Sequence, residues 1–113
     1  NDRETVEQLL EDGADPNTLN EYGESALLVS ITNERPEYIP ILIDYGADPN
    51  LQDDYGWTPL MSAVVIGDLE SGQLLLDAGA DPTLKDTDGM SALDYAKDYE
   101  EQEFVQLLES YEY

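Results

Sequence analysis

The sequence predicts an all-α solenoid of stacked helical hairpins, and three observations lead there. The first is a repeat. Gly13-Ala14-Asp15-Pro16-Asn17 returns as Gly46-Ala47-Asp48-Pro49-Asn50 and again as Gly79-Ala80-Asp81-Pro82-Thr83, 33 residues apart each time. Gly23, Gly56 and Gly89 keep that step, as do Leu27, Leu60 and Leu93, and Leu42, Leu75 and Leu108. Aligning 13–45 with 46–78 gives 11 identities in 33 positions, and aligning 46–78 with 79–111 gives 13. Such a period marks units that cannot bury an apolar face alone and do so by stacking. The second observation is that each period carries turn and cap residues for two helices. The third is composition: Leu, Ile, Val and Phe supply 27 of 113 residues. That exceeds the ~20% below which a highly charged chain stays unfolded. The length allows one domain.

The elements follow in order. Residues 3–12 predict a lone helix with Val6, Leu9 and Leu10 as its apolar stripe, so 1–19 reads as half a unit with an open N-terminal side. Full helix-turn-helix units follow at 20–52, 53–85 and 86–113. In the middle unit, Asp53-Asp54-Tyr55-Gly56 is turn chemistry. Thr58 stands at an N-cap and Pro59 at the first helical position, which opens a helix over about 58–66. Gly67-Asp68 breaks it, a second helix runs over about 69–77, and Gly79 closes it. Ser71-Gly72 predicts fraying at the start of that helix, because Gly costs roughly 1 kcal/mol against Ala in a helix interior. Pro40 falls within the first turn or so after Pro36, where its missing N–H costs little. Lys97 and Glu109 replace the apolar Val64 and Leu76, as expected where a terminal unit faces water. A start at Asn1 rather than Met suggests a piece cut from a longer chain, whereas the polar last unit suggests a natural C-terminus.

These motifs resemble the ankyrin repeat. The turn-Gly-x-Thr-Pro-Leu signature of that family stands whole as Gly56-Trp57-Thr58-Pro59-Leu60, and weakened as Gly23-Glu24-Ser25-Ala26-Leu27 and Gly89-Met90-Ser91-Ala92-Leu93. The resemblance implies antiparallel helix pairs in a curved solenoid, with hairpin-like turns projecting to one side. It departs from the family at Leu28, Met61 and Asp94, which replace a His that ties neighbouring turns together. Looser coupling between units is therefore expected. Asn17 and Asn50 are similar to ankyrin asparagines that are hydroxylated in animal cells, but Pro precedes each, and they read as plain turn residues.

Composition excludes most chemistry. There are 27 Asp plus Glu against 4 Lys plus Arg, a net charge of −23. Nucleic acid is excluded as a partner, because it is held by clustered Lys and Arg. Without Cys or His, the chain has no disulfide, thiol nucleophile, Cys/His zinc site or Ser-His-Asp triad. Asp86-Thr87-Asp88-Gly89 imitates part of a calcium loop, but Leu84 stands where its first ligand belongs. Close carboxylate pairs such as Asp53-Asp54 follow from composition, and a shallow solenoid gives them no pocket in which to separate their acidities. No enzyme activity, cofactor or metal is expected. The longest clean apolar run, Ala63-Val64-Val65-Ile66, is far short of the ~20 residues that span a bilayer. No membrane association is expected, and a cytoplasmic location is.

What remains is protein binding. In the resembled family, the turn tips and the outer edge of each first helix line a concave partner-binding face. Carried onto this sequence, those positions include Tyr22, Glu24, Asp54, Tyr55, Trp57, Val65, Ile66, Asp88, Met90 and Tyr99. The aromatic residues and Met among them are the types enriched at interface cores and hot spots. The acidic charge points to a basic partner, as for an inhibitor or immunity-type protein. The alternative is a structural or regulatory domain of a larger, halophile-type acidic protein, since acids also fall on the second helices. The open N-terminal end adds self-association as an expected contact.

Overall fold

The structure is a computed structural model that describes residues 11–13, 15–17, 19 and 23–110. The expected helix over 3–12, and the self-association assigned to it, lie outside the described residues. Six helices follow among those described: α1 (Ala26–Thr32), α2 (Tyr38–Asp44), α3 (Pro59–Ile66), α4 (Leu69–Asp77), α5 (Ala92–Asp98) and α6 (Gln102–Ser110). They pair as α1 with α2, α3 with α4, and α5 with α6. First helices stack on first helices and second on second, α1–α3–α5 in one row and α2–α4–α6 in the other.

Caps set the helix starts. The side chain of Ser25 accepts from the Leu28 N–H, that of Thr58 from Met61, and that of Ser91 from Asp94. In α5 the Asp94 carboxylate also accepts from the Ser91 N–H, closing a reciprocal capping box. Pro59 opens α3 as the sequence predicts. The elbow between α3 and α4 turns at Gly67, where φ is +85°. One period away on either side the same elbow carries Glu34 and Glu100, at φ +58° and +56°. L-residues adopt that region at a cost.

The core runs continuously between the rows. Leu27, Ile31, Ile39, Leu42, Leu60, Met61, Val64, Leu75, Phe104 and Leu108 are all buried. A fully buried side chain of this kind contributes roughly 1.5–3 kcal/mol, so this core, shared by all three helix pairs, is a main source of stability. Lys97 and Glu109 are exposed where Val64 and Leu76 are buried, which matches the expected polar face of the last unit.

Two expectations drawn from local residues change in the folded context. The start of α4 is held rather than loosened. Asp68 caps it by accepting from the Ser71 N–H, and the Phe104 ring of α6 lies against Gly72. A Cβ on Gly72 would collide with Phe104 Cε1, so the absent side chain makes room for the ring. Coupling between units is also re-created without the family's His. The Asn17 carboxamide donates to Gly46 O and accepts from the Asp48 N–H, at 3.1 and 2.6 Å. Asn50 repeats both bonds to Gly79 O and the Asp81 N–H, at 3.2 and 2.7 Å. The Gln52 side chain donates to Lys85 O at 2.9 Å, and the Thr87 N–H donates to Tyr55 O at 2.9 Å. Asn17 and Asn50 are therefore ties between units as well as turn residues.

Candidate partner-binding surface

The two hairpin tips at Asp53 and Asp86 are each organised by that aspartate. Asp53 Oδ1 accepts from the N–H groups of Tyr55 and Trp57 at 2.8 and 2.9 Å, while the Asp53 N–H donates to Trp57 O at 2.9 Å. Gly56 sits inside this loop at φ +79°, and a Cβ there would lie 2.8 Å from Asp86 Cα in the next turn. Only glycine meets both demands. Asp86 repeats the pattern, its Oδ1 accepting from Asp88 and Met90 at 2.9 and 3.0 Å. A short antiparallel bridge between Lys85 and Ser91 continues that hairpin. The tips are thus rigid platforms for the side chains they carry.

Asp86 has a second task. Its Oδ2 accepts the hydroxyl of Tyr95 on α5. Burial raises the Asp86 carboxyl, but the bonds from Tyr95, Met90 and Asp88 together outweigh it and hold the group below its ordinary range. Burial first, then the bond to Asp86, pushes the Tyr95 phenol well above its usual value. Both Asp86 oxygens are therefore engaged within its own unit, and its turn position accounts for the acid that imitates a calcium ligand.

Tyr95 is the residue that the sequence reading misses. Its ring centroid lies 5.4 Å from that of Trp57, with planes at 48°, and 6.3 Å from that of Tyr99, with planes at 83°. Three rings thus form a strip from the hairpin tip of one unit along the first helix of the next. The available signal was positional: Tyr95 stands one period after Ser62, where the middle unit has a small buried residue. A large ring there must spread towards the tip that carries Trp57.

The predicted positions divide into groups. Tyr55, Tyr99 and Ile66 are the exposed large apolar groups among them, at 71, 48 and 42% exposure. Trp57, Val65 and Met90 are half-buried, and Trp57 also packs against the core. Asp54 and Asp88 are exposed, and Asp54 lies over the backbone of Gly23 in the preceding turn. Glu24 is half-buried. Tyr22 lies outside the described residues. The structure brings both Trp57 and Tyr99 against Tyr95. No ring contact joins Tyr55 to this strip among the contacts observed, although its carbonyl is tied to Thr87.

Helix pairs stacked in two rows at a 33-residue period define an ankyrin-type solenoid. A family model of ankyrin repeats, in three copies, matches residues 1–86, and the chain belongs to that family. No curated protein matches the chain. Ankyrin repeats are, as a family, non-enzymatic interaction modules, and their presence here indicates a module for protein–protein interaction. Among the described residues, no helix is long and apolar enough to cross a membrane.

Proposed function

We propose that the chain binds a basic protein through the concave face formed by its hairpin tips and first helices, as an inhibitor or immunity-type module would. The observation that carries this reading is the set of exposed apolar groups on the tips and first helices of a strongly acidic chain. Tyr55 stands exposed on a tip next to Asp54, and Ile66 and Tyr99 stand exposed at the ends of α3 and α5, in a chain whose net charge is −23. Large apolar groups on so acidic a surface are costly to leave in water, and they gain when covered. The acids around them would speed the approach of a positive surface.

Trp57 is the proposed centre of the contact. Capture of partners by the intact chain, followed by affinity measurement with Trp57→Ala, tests this. Loss of about 2 kcal/mol, mostly as faster dissociation, is the expected result. Neutralising Asp54 and Asp88 together should instead slow association and flatten its dependence on salt. A Trp57→Ala variant that melts lower yet binds the partner unchanged would move the site off this face.

A second reading has its own support. Asp44, Asp77 and Glu103 are exposed on second helices, away from the tips. Acids spread over both rows favour a surface adapted to salt, in a structural or regulatory domain of a larger acidic protein. A stability that fails to rise with salt would remove this second reading, as argued below.

A further inference from the structure

The ring strip and the acids define which side chain of a partner would fit best. Trp57, Tyr95 and Tyr99 lie in sequence, centroids 5.4 and 6.3 Å apart, and Tyr99 is half exposed. Two acids near the strip are exposed, Asp88 on the tip and Asp98 on α5, three residues after Tyr95 and so on a neighbouring face of the helix. The nearest cation in sequence is Lys97, two residues from both tyrosines and so on another side of the helix. It lines a separate groove with Val105, Gln106 and Glu109. The Tyr95 hydroxyl is held on Asp86, and the charges of Asp86 and Asp88 both act on that phenol.

Three kinds of anchor can be compared. An anion is repelled by the acids and by the negative ring faces. An aliphatic side chain gains from the rings but desolvates the neighbouring carboxylates without pairing them. A cation gains from both. Between cations, a guanidinium is planar, stacks on aromatic faces, sheds water more readily than an ammonium and offers several N–H donors to carboxylates.

We propose that the Trp57–Tyr95–Tyr99 strip seats an arginine side chain of a basic protein partner, its guanidinium against the rings and its N–H groups towards Asp88 or Asp98. The inference rests on the concave-face reading and adds the chemistry of the anchor. It reverses a simpler picture, in which the partner brings an apolar anchor and its basic residues only ring the rim.

The probes are N-acetylated, C-amidated tetra-arginine and tetra-lysine, which carry equal charge. Binding is measured by calorimetry and by fluorescence of Trp57, the chain's single tryptophan. Tetra-arginine should bind at least fivefold more tightly than tetra-lysine, and the ratio should persist when salt weakens both. Tyr99→Leu, a change at a half-exposed position, should bring the two peptides within twofold of each other. Equal affinities for the unaltered chain, or a preference that survives Tyr99→Leu, would overturn the proposal. The underlying reading is judged separately by capture of a protein partner. A partner lost on Trp57→Ala while the peptides bind equally would leave the concave face standing and replace the arginine by an apolar anchor. A partner retained by Trp57→Ala would remove the face itself.

Discussion

Glu101 immediately precedes α6 just as Asp68 precedes α4, one period earlier. The shorter side chain of Asp68 caps its helix, accepting from the Ser71 N–H at 3.1 Å. Glu101 Oε2 is buried with no hydrogen-bond partner, and burial raises its carboxyl above the ordinary range. The stability consequence has a definite sign. A carboxyl with a raised folded-state pKa helps the folded form while protonated, and that help is lost as pH rises through the folded value. At neutral pH Glu101 is therefore a cost. Glu101→Asp should shorten the side chain into a cap and raise stability by about 1 kcal/mol at pH 7. The gain should shrink as pH falls to where both carboxyls are protonated, and urea titrations at several pH values would show it. A loss of stability at neutral pH would mean that the longer side chain is needed where it lies. Ser62 is a second residue-level oddity, a buried hydroxyl without a partner. Single residues of this kind were not legible in the sequence. The spacing placed Trp57 on a tip, but its contact with Tyr95 depends on how far one unit is set against the next.

At the scale of elements, much more was legible. The Thr58-Pro59 start, the Gly67-Asp68 break and the span of α4 all stand where cap and turn chemistry put them, because those signals act within a few residues. What local rules misjudge is a residue whose neighbour arrives from another unit. Gly72 is such a case: its low helix propensity says fraying, while the Phe104 ring packed on it says fit. Gly72→Ala separates the two influences. Propensity alone would stabilise by roughly 1 kcal/mol, whereas forcing a methyl into a buried ring typically costs about 1–3 kcal/mol. Net destabilisation is expected, and a smaller side chain in Phe104→Leu should recover part of it in the double variant. The cycle of four stabilities measures that coupling directly. If Gly72→Ala alone raises the melting temperature, the ring is not what fixes the glycine. The missing His was misjudged for the same reason, since Asn17 and Asn50 reach across to the next unit through bonds that no single unit displays.

Over the whole molecule, charge is the dominant fact. Four cationic side chains face 27 acidic ones, so even complete pairing would leave most carboxylates without a counter-charge. Arg35 and Glu37 approach within 3.9 Å, but both are about half exposed, and such a pair contributes little. Added salt therefore has much repulsion to screen and almost no attraction to weaken. The Debye length falls from ~10 Å at 0.1 M to ~3 Å at 1 M, below the spacing of most surface charges. The melting temperature should rise clearly over that range. Acid should act in two stages. Lowering pH from neutrality discharges exposed carboxylates and relieves the same repulsion. Asp86 and Asp94 resist, because hydrogen bonds hold both below the ordinary carboxyl range. A depressed pKa contributes stability above the unfolded value and loses it as pH falls through the folded one, so the turn at Asp86 and the box at Asp94 fail last. Stability should thus climb as pH drops towards the carboxyl range and then fall below it. Thermal melts across salt and pH test both stages. A melting temperature that is flat or falling between low and molar salt would show that the charges are already balanced by the fold, and the reading as a salt-adapted surface would not survive it. A rise in salt would leave the binding of a basic partner to be decided by the variants at Trp57, Asp54 and Asp88.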